Sequence, residues 1–132
     1  MNIIALLACG IVATAIGYIW YGLLFMKPYR EGHKFSAAES AALEKSMPTT
    51  TAISFVGYVV TACFLSFIFS RMNISDLYQA LKITFIAWLG LPAMVTLMNS
   101  LYSGKSLTVY AIDTLYVLSY MVSSACIIVL WP

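Results

Sequence analysis

Four stretches of nearly unbroken apolar character divide the chain, at roughly 2–26, 50–70, 77–101 and 106–131. Each is about as long as the 20 or so residues a helix needs to cross a bilayer. None alternates with the period of two that a half-buried strand would show. The pattern predicts an all-α polytopic membrane protein, a four-transmembrane-helix antiparallel bundle. The joins at Arg71–Asp76 and Ser103–Lys105 are tight, with Gly104 supplying a turn. Spans two, three and four therefore form a meander. Four spans leave almost no chain for anything else, so 1–132 is expected to be a single integral membrane domain.

The one long join is "KPYREGHKFSAAESAALEKSMP". Pro28 is expected to close the first span, because it lacks an N–H and biases the preceding residue away from helix. Ser36 followed by Glu39 makes a capping-box pattern. It predicts a short interfacial helix between helices 1 and 2, over about 37–46, ending before Pro48. Pro92 in "WLGLPAM" predicts a kink in span three, since it cannot donate to the Trp88 carbonyl.

Composition agrees with the pattern. The chain has 132 residues, 62% hydrophobic and 9% charged, whereas soluble domains are nearer a quarter charged. The net charge of +2 gives no footing for nucleic acid. Cys9, Cys63 and Cys126 lie far apart with no CxxC or His spacing, so no metal and no cofactor is expected. "LLACG" resembles a lipoprotein cleavage box, but no basic residue precedes Cys9 and the apolar run continues to Phe25; cleavage is not expected. Basic residues near the span ends set orientation. Lys27, Arg30, Lys34, Lys45 and Lys105 flank joins one and three, against Arg71 and Lys82 near join two. Joins one and three are expected in the cytoplasm, and both termini outside.

In lipid, packing faces carry small and polar residues rather than leucine. The expected inward stripes are Gly10, Thr14, Gly17 and Tyr21; Ser54, Gly57 and Thr61; Phe85, Leu89, Pro92, Thr96 and Asn99; and Tyr110, Asp113, Tyr116, Tyr120 and Ser123 or Ser124. Asp113 lies about 10 Å inside the fourth span, at about 1.5 Å per residue. An acid at the hydrocarbon centre costs roughly 2.5–3.5 kcal/mol on insertion scales, and intramembrane acids are functional candidates. The expectation is a buried polar site in the cytoplasmic leaflet, formed by Asp113, Asn99, Tyr21, Trp20 and Tyr116, with Lys27 reaching from the interface. Lys82 can snorkel to water or pair with Asp76, and His33 sits in the solvated loop.

"GYIWYGLLFMKPY" (Gly17–Tyr29), "SAAESAALEKSM", "LMNSLYSGKSL" (Leu97–Leu107) and "AIDTLYVL" (Ala111–Leu118) carry a likeness to a known family. Together they resemble the family catalogued as domain of unknown function 1761. The likeness runs in order over nearly the whole chain. Its motif positions fall on Trp20, Tyr21, Phe25, Lys27, Asn99, Asp113 and Tyr116; where the family often has His after the Tyr, this chain has Val117. The resemblance implies a small multi-span protein of the bacterial cytoplasmic (inner) membrane and implies no activity.

Two functions stay open. One is binding or transport of a small molecule, ion or lipid at Asp113. Small drug exporters are similar in size and also use one buried acid, though theirs is in the first span. A transporter this small implies a homodimer, because four helices enclose little cavity. The other is a structural or accessory membrane subunit in which Asp113 is a packing lock. No serine–histidine pair, metal cluster or second intramembrane acid supports an enzyme. Membrane lipid is the expected surrounding partner, and the sequence names no small-molecule ligand.

Overall fold

The computed structural model describes residues 2–24 and 37–131. Helix α1 spans Ile3–Ile19 and widens into a π-helical turn, Trp20–Leu24. It is followed by α2 (Ala37–Arg71), α3 (Leu77–Gly90), α4 (Pro92–Ser103) and α5 (Leu107–Leu130). Four helical segments are long and apolar enough to cross a membrane: Ile3–Leu24, Lys45–Arg71, Leu77–Ser103 and Leu107–Leu130. They match the four expected spans. Large apolar side chains such as Ile11, Ile53, Phe67, Ile86 and Met98 are exposed. Lipid, not water, is the solvent such a surface fits.

Local chemistry fixes the helix ends. The Asn2 carboxamide accepts from the Ile4 and Ala5 N–H groups, at 3.1 and 3.3 Å. Asp76 and Ser106 cap α3 and α5 in the same way through Gln79 and Val109. Each cap satisfies orphan donors that a helix start leaves open. Gly104 closes α4 with φ of 74°, a left-handed conformation that suits glycine.

The separate interfacial helix over 37–46 is corrected. Its residues are the first turns of α2, which continues through Pro48 into the second span as one helix of 35 residues. At about 1.5 Å per residue α2 is roughly 52 Å long, well beyond a hydrocarbon core of about 30 Å. The apolar part long enough to cross is Lys45–Arg71, so the first turns are more than a crossing needs. Proline in a helix interior costs about 3 kcal/mol, but the freed Glu44 carbonyl lies where neighbours Lys45–Thr50 are exposed, so water can take that bond. Replacing Pro48 by alanine is expected to raise the thermal midpoint in detergent while leaving the far-ultraviolet helical signal unchanged. A gain of several helical residues would mean instead that the helix is broken there.

The expected kink at Pro92 is present. α3 stops at Gly90, Leu91 leaves the helical region with φ of −112° and ψ of −81°, and Pro92 begins α4 as its first residue. A missing N–H is harmless at that position.

α5 is the hub of the bundle. α1, α2, α3 and α4 all pack against it, and α1 also packs on α2. Leu65 and Phe69 of α2, Ala80 of α3, and Met121 and Ala125 of α5 form one buried cluster; Leu6, Cys9 and Ala62 form another. The third span is the most peripheral of the four and the fourth the most buried. Two stripes need correction. Gly57 is exposed, and Tyr58, Ala62, Leu65 and Phe69 supply the packed face of α2. In the third span Phe85 and Leu89 are exposed, while Ala80, Thr84 and Ala93 are buried. Thr84 hides its hydroxyl by donating to the Ala80 carbonyl at 2.7 Å, so it fits an apolar contact.

Candidate functional site

The polar groups converge along the seam between α1 and α5. The two helices run antiparallel, so successive residues of one meet descending positions of the other. At one end the Cys9 thiol donates to the Ser124 carbonyl at 3.8 Å. In the middle the Tyr116 hydroxyl donates to the Ala13 carbonyl at 2.7 Å. At the other end the Trp20 indole N–H donates to the Ile112 carbonyl at 3.0 Å, and the Tyr21 hydroxyl donates to Asp113 Oδ1 at 2.5 Å. The last distance is at the short end of the range for a hydroxyl on a carboxylate oxygen.

Small residues let the helices approach. A Cβ on Gly17 would stand 2.9 Å from the Tyr116 hydroxyl oxygen. The π-helical turn then brings two consecutive residues, Trp20 and Tyr21, onto two consecutive residues of α5. Wider turns of this kind recur at functional positions.

Asp113 is bracketed on its other side by the third span. The Trp88 indole N–H donates to the Thr114 carbonyl at 2.9 Å, and the Tyr110 hydroxyl donates to the Ala93 carbonyl at 2.8 Å. The backbone carbonyls immediately before and after Asp113 thus each receive an indole, one from α1 and one from α3. Tyr116 is the centre of the aromatic packing. Its ring lies 6.4 Å from Trp20, 5.3 Å from Tyr21, 6.1 Å from Tyr58 and 5.3 Å from Tyr120. Tyr58 also lies 4.8 Å from Tyr120.

Four of the six expected site residues, Trp20, Tyr21, Asp113 and Tyr116, come together here. Asn99 does not join them. It is exposed on α4, its backbone carbonyl receives the Ser103 hydroxyl at 2.7 Å, and among the described residues nothing links its side chain to Asp113. Four residues from the end of α4, an amide reaches the headgroup zone and has no need to turn inward. Lys27 lies outside the described residues, as do Phe25 and His33. Lys82 is exposed, as snorkelling requires, and forms no ion pair with Asp76.

The expectation of a buried acid is also corrected. The buried polar side chains among the described residues are Thr84, Ser100, Thr114 and Ser124, none of them charged. Asp113 is half-buried. A fully desolvated carboxylate would need several donors, and Tyr21 is the one donor that reaches it among the described residues. Sequence reasoning missed Tyr58 and the indole of Trp88. Tyr58 was detectable, because it stands in step with Ala62, Leu65 and Phe69 at helical spacing. No group of three His, Cys, Asp or Glu side chains that could hold a metal occurs among the described residues.

Fold and surface define a small polytopic α-helical protein with four membrane-spanning segments tied by a polar-aromatic seam. A family model described as "Protein of unknown function (DUF1761)" matches residues 4–129. The chain belongs to that family. It has no match among curated proteins or among solved structures.

Proposed function

We propose that the chain is a structural or accessory subunit of the bacterial inner membrane, in which the Asp113 level fastens the first span to the fourth. The observation that carries this reading is where the polar aromatic groups go. Trp20, Tyr21, Trp88, Tyr110 and Tyr116 each donate across a helix boundary, four of them to backbone carbonyls and one to Asp113. These donors join helices. Interhelical hydrogen bonds substitute for the hydrophobic drive that lipid does not provide. The excess of Lys and Arg around joins one and three supports an orientation with those joins in the cytoplasm and both termini outside. The seam would then close at the cytoplasmic leaflet.

A double-mutant cycle tests the lock. Tyr21→Phe and Asp113→Leu are each expected to lower stability in detergent. Their coupling should lie between roughly 0.6 kcal/mol, the average for interhelical membrane hydrogen bonds, and about 1.7 kcal/mol, near the largest measured. Strictly additive losses would remove the lock.

A further inference from the structure

The third span turns bare backbone outward at mid-depth. Gly90 stands at the middle of the segment Leu77–Ser103 and is exposed; having no side chain, it exposes its main chain. A Cβ there would meet nothing within 4 Å. The hydrogen-bond ladder is interrupted at the same place. Leu91 donates to Ala87, Pro92 has no N–H, and the ladder resumes with Val95 donating to Leu91. The Trp88 carbonyl thus loses its helical donor, and Leu91 offers no side-chain cap to the amides that open α4. Hydrocarbon cannot satisfy such groups, and interrupted helices persist in membranes where neighbouring protein or a water-lined cavity covers the break. Both halves of this span pack mainly on α5, and their opposite face, with Phe85, Ile86, Leu89, Leu91 and Met94, is exposed.

Charge selects what covers it. Tyr78, Lys82, Phe85, Ile86 and Leu89 recur at helical spacing and are all exposed, so Lys82 lies within this outward stripe. A lysine stem leans toward the N-terminus of its helix and carries its ammonium toward the interface. That brings it toward the level of Asp76, six residues earlier and about 9 Å away at about 1.5 Å per residue. Asp76 is exposed and uses one carboxylate oxygen to cap Gln79 at 3.4 Å; it makes no ion pair with Lys82 of its own chain. Two copies inserted the same way, related by a two-fold axis along the membrane normal, set equal levels side by side. Lys82 of each copy then faces the partner's Asp76. A face that carries both halves of an ion pair, unjoined within the chain, is complementary to a copy of itself.

We infer that the outward face of the third span docks a second copy of this chain, with the exposed Gly90 allowing the close approach that covers the break. This face takes no part in the lock, which joins α1 to α5. The full chain is reconstituted at low density in vesicles of phosphatidylethanolamine and phosphatidylglycerol, with a benzophenone photo-crosslinking residue at Leu89 or, as the comparison, at the exposed Ile53 of α2. Illumination is expected to give an adduct of twice the chain's mass from position 89 and not from position 53. Lys82→Glu should lower that yield roughly two- to tenfold, the size of two partly exposed ion pairs. Asp76→Asn should lower it too while keeping a capping oxygen, and Lys82→Glu combined with Asp76→Lys should restore it. Tyr21→Phe should leave the yield unchanged, which separates failure of this face from failure of the lock. Equal adducts from both positions, or adducts with lipid alone at position 89, would overturn the docking face. So would an adduct with a different protein in native membranes, and a yield that ignores Lys82→Glu would overturn the pairing of the charges.

Discussion

Tyr116→Ala is expected to be the most damaging single substitution in the bundle, lowering stability by about 3 kcal/mol or more, in the range for large aromatic truncations. Tyr116 is 5% exposed, and rings from α1, α2 and α5 surround it. Removing it forfeits dispersion contacts with Trp20, Tyr21, Tyr58 and Tyr120 together, and these large neighbours cannot all collapse into one void. It also strips the Ala13 carbonyl of its cross-helix donor. Tyr116→Phe separates the two losses, since it keeps the ring and should cost about 1 kcal/mol. Thermal or denaturant unfolding of the three proteins in one detergent measures the order. Equal, small losses for both variants would mean that the ring does not organise the seam.

Gly10→Ala is expected to follow, with a loss of about 1–3 kcal/mol from overpacking. The added methyl would lie 2.8 Å from Phe55 Cε2 and 2.8 Å from Val59 Cγ2, with Phe55 Cζ at 3.1 Å. Val59 is branched at Cβ and stiff at χ1, so relief requires α1 and α2 to separate. Gly57→Ala is the internal control. A Cβ there meets nothing within 4 Å, and the better helix propensity of alanine should make the change neutral or stabilising by up to about 1 kcal/mol. Parallel melting curves decide the matter: equal losses at Gly10 and Gly57 would show that helix contact is not what Gly10 permits.

The contrast between these two glycines shows what the sequence could and could not reveal. The four spans were legible because length and apolarity alone define them. The seam faces of α1 and α5 were legible because their small and polar residues recur at helical spacing. Gly57 has the same local signature as Gly10, yet it faces outward; which small residue meets a neighbour depends on the rotation of a whole helix. In the third span a continuous helical step runs Phe85, Leu89, Pro92, Thr96 and Asn99, and the break at Leu91 spoils that register. Ala80 and Thr84, the small residues of α3, mark the true face. Asn99 falls on the expected inward stripe by spacing and polarity, but nearness to a span end lets an amide face outward. Pro48 suggested a break, and the strong helix formers before it, Ala, Glu and Lys, carried α2 through.

The central place of α5 also has a consequence for biogenesis. α1 and α2 can pair as a hairpin as soon as both are in the bilayer, but α3 makes its main contacts with α5, and α4 also packs on α5, which is synthesised after them. Until it arrives, the indole of Trp88 and the carbonyl of Ala93 have no cross-helix mates, and the rings awaiting Tyr116 enclose nothing. Nascent chains halted before residue 107 should therefore be recognised as incomplete and degraded, and supplying the fourth span as a separate peptide should rescue them.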